Sequence, residues 1–255
     1  MRQLFQRTPD GRKAIPEISV ALLAAVAVLS HIPSGSAFAA SPQRTETKSP
    51  PEVGKLKVKF NPERQRLYLF WKGRMAKPMA REFRLAIAEW KFRAARGGVR
   101  VILDSHGGKV RQARLVVDML TDLKKTHRVD TYVGNGRTCG SSCVAIFLAG
   151  QHRVAGPASS WLFHQISRTK IGEDGRKVLY LRPIKTKQFF QKYFRPAGIP
   201  QIWIDDIHTK IKGRDYWMTG RELMASNGNL ITRLTSNQRI RKGARIWPPQ
   251  PPPRR

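Results

Sequence analysis

The sequence predicts an α/β domain in which short parallel strands alternate with helices. Two apolar segments, Val99–Asp104 and Val129–Val133, have the length and composition of buried parallel strands. Each is followed by a glycine-containing turn and then by apolar residues at helical spacing, from Val110 and from Ser141. Strand, turn, helix and strand make a repeating βαβ pattern, and such sheets carry reactive groups at the carboxyl ends of their strands. We therefore expect both turns to lie at one functional edge.

The remaining elements follow from the same periodicities. Residues 55–60 and 66–71 alternate apolar and polar side chains, which predicts two strands paired as a hairpin that turns near 61–63. Apolar spacing predicts a helix over 79–96, stopped by Gly97 and Gly98. Two further helices are expected at 188–194 and 199–211, and a last strand at 230–232.

The ends of the chain differ in composition from the middle. Basic residues precede an uncharged stretch at 18–29 and a small-residue site at 37–39, the pattern of a secretory signal peptide cleaved before Ala40. That stretch is shorter than the about 20 residues that span a membrane, although an uncleaved inner-membrane anchor stays an alternative. We assign 1–39 to the signal peptide or anchor, 40–53 to a linker, 54–235 to the α/β domain and 236–255 to a basic, Pro-rich tail. The folded part is expected to be periplasmic or secreted.

The chain is strongly basic, with 48 Lys and Arg against 17 Asp and Glu and a formal charge of +31. Such a charge often indicates nucleic-acid binding. Here the basic residues are dispersed, without zinc-finger spacing, an aromatic RNA-binding strand or a heptad repeat. Nucleic acid is therefore not the expected partner, and an anionic envelope surface fits the charge equally well.

Four motifs occur in a defined order between residues 99 and 232. They are Asp104-Ser105-His106-Gly107-Gly108, CGSSCVAIFLAG at 139–150, WLFHQ at 161–165 and GRDYWMT at 213–219. Together they resemble the proteolytic subunit of Clp protease and its relatives in the ClpP/crotonase superfamily, above all exported bacterial Clp-like proteins with a Ser between two Cys. The resemblance implies a repeated ββα/βαβ superhelix with a parallel sheet, and assembly into a homo-oligomer.

The resemblance also implies a catalytic triad of Ser141 as nucleophile, His164 as general base and Asp215 as the acid that orients it. A serine hydroxyl needs an imidazole to take its proton, and the imidazole needs a partner that fixes its tautomer. The backbone amides of Gly107 and Ser142 are the expected oxyanion donors. No metal and no cofactor is implied.

Several alternatives stay open for these residues. Ser142 is the nucleophile if the alignment is off by one, and His164 in its apolar segment also fits a packed core histidine. His106 stands where the Clp pattern usually has Pro, and is either a turn residue or a substrate contact. The other histidines, His127, His152 and His208, lie in charged surroundings and are interpreted as surface residues.

Cys139 and Cys143 flank Ser141. In an oxidising compartment they can form a disulfide if Cys139 lies in the turn, because the two Cα atoms must be within about 7 Å of each other. The alternative is two buried small apolar side chains.

The polar segment 169–187 is interpreted as a lid, a subunit contact or a mobile loop.

The sequence thus predicts an exported serine hydrolase, a Clp-like peptidase that cleaves peptide bonds by Ser-His-Asp acyl transfer on peptide or protein substrates. The alternative is a catalytically inactive Clp-like envelope scaffold that binds through its basic surface. Peptide, lipoprotein and ester substrates all remain open.

Overall fold

The computed structural model describes residues 52–236. The predicted signal peptide or anchor, all but the end of the predicted linker and all but the first residue of the predicted tail lie outside the described residues.

The described residues form a mixed α/β fold with three sheets. The strands in chain order are β1 (Lys55–Asn61), β2 (Arg66–Lys72), β3 (Val99–Asp104), β4 (Val129–Val133), β5 (Thr138–Gly140), β6 (His152–Ala155), β7 (Ser160–Phe163), β8 (Ser167–Ile171), β9 (Lys177–Leu181), β10 (Tyr216–Thr219) and β11 (Arg233–Leu234). The helices are α1 (Met79–Trp90), α2 (Val110–Leu123), α3 (Ser142–Leu148), α4 (Pro183–Tyr193), α5 (Gln201–Lys210) and α6 (Gly220–Ala225), with a short 3-10 turn at Arg195–Ala197.

The main sheet has six strands in the order β1-β2-β3-β4-β6-β11. The β1–β2 hairpin is antiparallel, as predicted, and every later pair in this sheet is parallel. The expected α/β class with parallel strands is therefore confirmed.

The core lies on the helical side of this sheet. Alternate residues of β2 and β3 are buried, among them Leu69, Trp71, Val101 and Leu103, which is the period that a sheet with one face against the core requires. Every residue of the seven-residue α3 is buried. Each large apolar side chain buried in this way stabilises the fold by about 1.5–3 kcal/mol.

A small sheet, in the order β10-β7-β5, joins the main sheet at one end of β3. Ser105 donates its amide to the Thr138 carbonyl at 2.7 Å, and Gly140 donates its amide to the Ser105 carbonyl at 2.9 Å. Because this bridge follows directly on β3, it brings the turn after β3 against the turn after β5.

Some elements differ from the sequence prediction. Helix α1 ends at Trp90 and not at 96, because residues 91–97 turn back to start β3, with the Gly97 amide bonded to the Gln65 carbonyl. The last strand is Arg233–Leu234, whereas Leu230 and Ile231 are packed in the core. The short strands β5 and β6 carry too few residues for a periodic signal, and α4 starts five residues before the predicted position.

The segment 169–187 contributes an antiparallel hairpin, β8–β9, and the start of α4. All residues of both strands are exposed, including Ile171 and Leu179. No helix within residues 52–236 is long and apolar enough to cross a membrane.

His208 is not the surface residue that its charged surroundings predict. Its ring is half-buried and packs edge-on against Phe190, with 4.6 Å between centroids. Its Nε2 atom is buried and has no hydrogen-bond partner in the described part of the chain. Burial lowers the pKa of His208 below the ordinary value of 6.5, an effect that the nearby Asp205 carboxylate opposes and the Lys187 ammonium reinforces.

This environment predicts a loss of stability in mild acid. As the pH falls below 6.5, His208 in the unfolded chain takes up a proton that the folded protein resists, so the free energy of unfolding decreases. We expect His208→Gln to lose less stability than wild type between pH 7.5 and pH 5.5 in urea titrations, and the exposed His152→Gln to behave as wild type. Equal losses in wild type and His208→Gln would contradict this account.

Candidate active site

Ser141 is the single residue between the end of β5 and the start of α3. Its backbone has φ 53° and ψ −124°, a conformation that residues with a side chain rarely adopt. The turn is held by hydrogen bonds from the Ser141 amide to the Leu162 carbonyl at 2.8 Å and from the Val144 amide to the Ser141 carbonyl at 3.0 Å. A sharp strand-to-helix turn of this kind lifts a serine side chain out of the core, which is the geometry of nucleophile elbows.

The neighbouring Ser142 is placed very differently. Its side chain is buried, and its hydroxyl lies 3.4 Å from the Gly108 carbonyl and 3.6 Å from the Met75 sulfur. Ser141, in contrast, is only partly buried and lines a pocket. Of the two serines that the sequence left open, only Ser141 lines the pocket.

Cys139 and Cys143 form a disulfide, with 5.3 Å between their Cα atoms. Cys139 lies in β5 and Cys143 lies in the first turn of α3, so the bond links the two elements on either side of Ser141. Both residues are fully buried. The disulfide therefore joins the strand to the helix directly beneath the elbow.

The turn formed by Gly107 and Gly108 packs against Ser141. Gly107 has φ +97°, and a Cβ atom at this position would lie 2.6 Å from the Gly140 carbonyl oxygen and 2.9 Å from the Ser141 Cβ atom. The Met75 amide donates to the Gly107 carbonyl, and the Lys109 amide donates to the Met75 carbonyl, so this loop is fixed on both sides. Only glycine allows so close an approach with this backbone conformation.

The two predicted oxyanion donors differ in their availability. The Gly107 amide donates to the Ser105 hydroxyl at 3.1 Å, so it is already engaged. The amides of Gly108 and Ser142 have no hydrogen-bond partner among residues 52–236. The amides without a partner at this turn are therefore those of Gly108 and Ser142, whereas the Gly107 amide is engaged by the Ser105 hydroxyl.

An ion pair connects the ends of the two strands that carry these turns. Arg137 donates to Asp104 at 2.7 Å, and the Thr138 amide donates to the other oxygen of the same carboxylate at 3.2 Å. Asp104 closes β3, and Thr138 opens β5. Asp104, the first residue of the glycine motif, thus links the turn after β3 to the start of β5 through these two hydrogen bonds.

His164 follows the last residue of β7 and is half-buried. Its Nδ1 atom lies 2.8 Å from the Gln165 backbone carbonyl, which can only accept, so Nδ1 carries the proton. The Nε2 atom of the neutral ring is then the basic nitrogen. His164 lines the same pocket as Ser141, although no hydrogen bond joins the two side chains.

Asp215 lies next to His164 in the sheet register but does not contact it through a hydrogen bond. Tyr216 pairs with Phe163 in the antiparallel β10–β7 ladder, and the next position along the two chains places Asp215 opposite His164. The segment before Asp215 is held by the Gly213 amide, which donates to the Gln165 side chain at 3.1 Å. Asp215 itself is exposed, and the tautomer of His164 is fixed here by a carbonyl and not by this carboxylate.

The rest of the pocket is apolar and was not predicted from sequence. Its other lining residues are Val110, Leu162, Phe163, Ile166, Thr186, Phe189, Phe190 and Phe194. Phe189 and Phe190 come from α4, Phe194 comes from the turn after it, and Phe163 comes from β7. The run QFFQKYF at 188–194 predicted a helix but not which surface it would cover.

No cluster of three His, Cys, Asp or Glu side chains that could hold a metal ion occurs within residues 52–236.

His106 is exposed, and its ring lies edge-on to Trp217 with 6.1 Å between centroids.

Comparisons with known proteins add little to this geometry. No protein-family model matches the chain, and no curated protein matches it. Among solved structures the chain is similar to a ClpP1 mutant from Listeria monocytogenes, with 16% sequence identity and a TM-score of 0.48. The match covers 69% of this chain and 94% of that one.

The close approach of Gly107 to Ser141 predicts a large effect of Gly107→Ala. The added methyl group would collide with the Gly140 carbonyl and the Ser141 Cβ atom at a backbone angle that disfavours side chains. We expect a loss of about 2–5 kcal/mol in the free energy of unfolding, measured in urea.

Gly136→Ala is the matched control. Gly136 also has a positive φ, +67°, but a Cβ atom there would meet nothing within 4 Å. It should lose only the about 1–2 kcal/mol of the backbone term. Equal losses for the two variants would show that Gly107 is not packed against the elbow.

Proposed function

We propose that this protein is a serine hydrolase, a Clp-like peptidase that cleaves peptide bonds by acyl transfer. One observation carries the proposal: an accessible Ser141 hydroxyl, held on a strand-to-helix turn at positive φ, shares a pocket with an imidazole whose Nε2 is basic. A structural serine at a helix N-terminus needs neither the unfavourable backbone conformation nor the histidine.

The proposed reaction uses His164 as a proton shuttle. Its Nε2 accepts the proton of Ser141 as the Oγ atom bonds to the substrate carbonyl carbon. The same proton then passes to the leaving amine as the carbon–nitrogen bond breaks, which leaves an acyl-enzyme. Water attacks this ester with His164 again as base, releases the acid and restores the Ser141 hydroxyl.

The oxyanion of each tetrahedral intermediate accepts hydrogen bonds from the amides of Ser142 and Gly108. Both amides lack a partner in the described protein, and the Gly108 carbonyl approaches the Ser142 hydroxyl, so the two residues are neighbours. Gly107 acts differently from the sequence prediction: its missing side chain makes room for Ser141. Preorganised donors of this kind contribute about 10²–10³ to the rate.

Asp215 has a secondary part in this mechanism. The Gln165 carbonyl already holds the proton of His164 on Nδ1, which is the tautomer that the reaction needs. Asp215, opposite His164 in the register, adds a negative charge that favours the imidazolium once it forms.

The pocket is lined mostly by apolar side chains, but its cavity of about 10 Å³ is the size of one water molecule, so an apolar side chain of a peptide substrate would contact its rim and would not be buried inside it. The proposal includes the repeated ββα/βαβ architecture of the ClpP/crotonase superfamily. It also includes export through the N-terminal segment and assembly into a homo-oligomer, for which the exposed apolar side chains of the β8–β9 hairpin supply a surface.

Labelling of the full chain with a fluorophosphonate probe tests the proposal. We expect rapid labelling of wild type and of Ser142→Ala, none of Ser141→Ala, and a rate about 10²–10⁴-fold lower for His164→Ala. Asp215→Asn should be labelled faster than His164→Ala, because the carbonyl still fixes the tautomer. His152→Ala, at an exposed site on β6, is the matched control and should react as wild type.

The competing function is an inactive scaffold that binds anionic envelope surfaces. Two observations favour it: Asp215 is exposed without a hydrogen bond to His164, and Lys55, Lys57 and Lys59 alternate along the edge strand β1, which points three cations to one face. Absence of labelling at every pH, together with salt-sensitive binding to anionic vesicles by both wild type and Ser141→Ala, would establish the scaffold instead.

A further inference from the structure

We infer that Arg66, Arg100 and Arg128, here called the arginine cluster, form a binding site for a phosphate dianion. The cluster lies where β2, β3 and β4 begin, whereas the turns around Ser141 follow the ends of β3 and β5. The site goes beyond the proposed function, because it takes no part in acyl transfer.

The register of the main sheet brings the three arginines together. Tyr68 on β2 pairs with Arg100 on β3, and Arg100 pairs with Asp130 on β4. Arg66 precedes Tyr68 by two residues, and two residues along a strand return to the same face. Arg128 stands in the same relation to Asp130. This is the face of the sheet opposite to the buried residues of β2 and β3.

All three guanidinium groups converge on the carboxylate of Asp130. The Arg128 Nε atom donates to it at 3.0 Å, and a terminal nitrogen of Arg100 donates to it at 3.4 Å. A terminal nitrogen of Arg66 lies 3.9 Å from the oxygen that Arg100 contacts. Within residues 52–236, no second acidic side chain lies within 4 Å of these guanidinium groups. Three positive charges thus meet one negative charge, which leaves an excess of two.

This excess charge cannot be removed by the loss of protons, because guanidinium groups stay protonated in proteins. Asp130 is almost fully buried and needs a partner, but one arginine is enough to balance its charge. Like charges held close together repel each other, and more strongly where protein excludes water. A dianion bound among the guanidinium groups would balance the charge of the arginine cluster.

The arginine cluster also has hydrogen-bond donors that the protein does not use. The Arg100 Nε atom is buried and has no partner in the described part of the chain. Arg66 donates its Nε atom to the Gly97 carbonyl at 2.7 Å, and its terminal nitrogen is too far from Asp130 for a hydrogen bond. The side chains of Arg100 and Arg128 are 24% and 50% exposed, so the cluster is open to solvent.

The charge and the donors select phosphate among the common anions. A guanidinium group presents paired N–H donors that match two oxygens of one phosphate. A phosphate monoester carries a charge of about −1.5 to −2 at pH 7, close to the excess of the cluster. A carboxylate or a phosphodiester carries only one negative charge. The ligand is therefore inorganic phosphate or the terminal phosphate monoester of a larger molecule, such as a lipid headgroup.

The arginine cluster is separate from the candidate active site. Arg100 is the second residue of β3 and Asp104 is the last, so about 13 Å of strand lies between them. None of the three arginines lines the pocket of Ser141. Reaction of Ser141 with the fluorophosphonate probe should therefore be unchanged in Arg100→Gln, and failure of the phosphate site leaves the hydrolase proposal untouched.

Titration of the full chain with inorganic phosphate, followed by calorimetry at constant ionic strength, tests the site. We expect saturable binding for which sulfate competes and chloride does not. Arg100→Gln should weaken this binding about tenfold or more, because it removes a charge together with its donors. Arg128→Gln, at a half-exposed position, gives the same test if Arg100→Gln fails to fold.

Arg84→Gln is the matched control, since Arg84 is exposed on α1 and its loss changes the net charge by the same amount. It should bind phosphate as wild type does. Three results would each overturn the site: no saturable binding of phosphate, equal weakening in Arg84→Gln and Arg100→Gln, or displacement of phosphate by chloride as effective as that by sulfate.

Sedimentation with vesicles identifies the source of the phosphate. The vesicles contain phosphatidylcholine and phosphatidic acid, whose headgroup is a phosphate monoester. If a lipid supplies the phosphate, Arg100→Gln should weaken vesicle binding more than Arg84→Gln does. Equal vesicle binding by the two variants, together with binding of inorganic phosphate that depends on Arg100, would assign the site to a soluble phosphate.

Discussion

The backbone conformation of Ser141 is the constraint on which the rest of the site depends. A serine at positive φ is unfavourable on its own, at a cost of about 1–3 kcal/mol, so its surroundings must impose it. On one side the Ser105 bridge fixes β5 to β3, and on the other α3 is packed into the core with no exposed residue. The chain between them has one residue in which to change direction.

Several otherwise unrelated features serve this one turn. The Asp104–Arg137 ion pair aligns the strand ends, Gly107 leaves space above the serine, and the Cys139–Cys143 disulfide links the strand to the helix below it. Since the disulfide closes only a short loop, its effect on the unfolded chain is small compared with its effect on local geometry. A serine secured at this many points, beside a histidine whose Nδ1 carries the proton, is the arrangement that the proposed nucleophilic role of Ser141 requires.

The sequence predicted the elements that have strong periodicity. The strands Val99–Asp104 and Val129–Val133 are confirmed with their bounds, because continuous apolar runs bounded by turns leave little freedom. The helix over 79–96 was predicted too long, because Ala94 in the turn after Trp90 keeps the apolar spacing of the helix and is buried, but in a non-helical conformation. Strands of three or four residues, such as β5 and β6, are stabilised by pairing with strands that are distant in sequence. The local sequence pattern does not predict such pairing.

In the site, too, some features were predicted from the sequence and others depend on the folded structure. Motif order was enough to bring Ser141, His164 and the glycine turn together, but not to tell which amide is engaged by the Ser105 hydroxyl or that a carbonyl orients His164. Those details depend on hydrogen bonds within the folded turns. A helix was predicted where α4 carries its phenylalanines, yet only the tertiary arrangement shows that they line the pocket.

A crystal structure of the protein after reaction with diisopropyl fluorophosphate would test the central claim most directly. The account predicts a phosphoryl group on the Ser141 Oγ atom, with one phosphoryl oxygen about 2.7–3.1 Å from the amides of Ser142 and Gly108. The Ser141 backbone should keep its positive φ. A phosphoryl group on another residue, or one on Ser141 whose oxygen points away from both amides, would contradict the account.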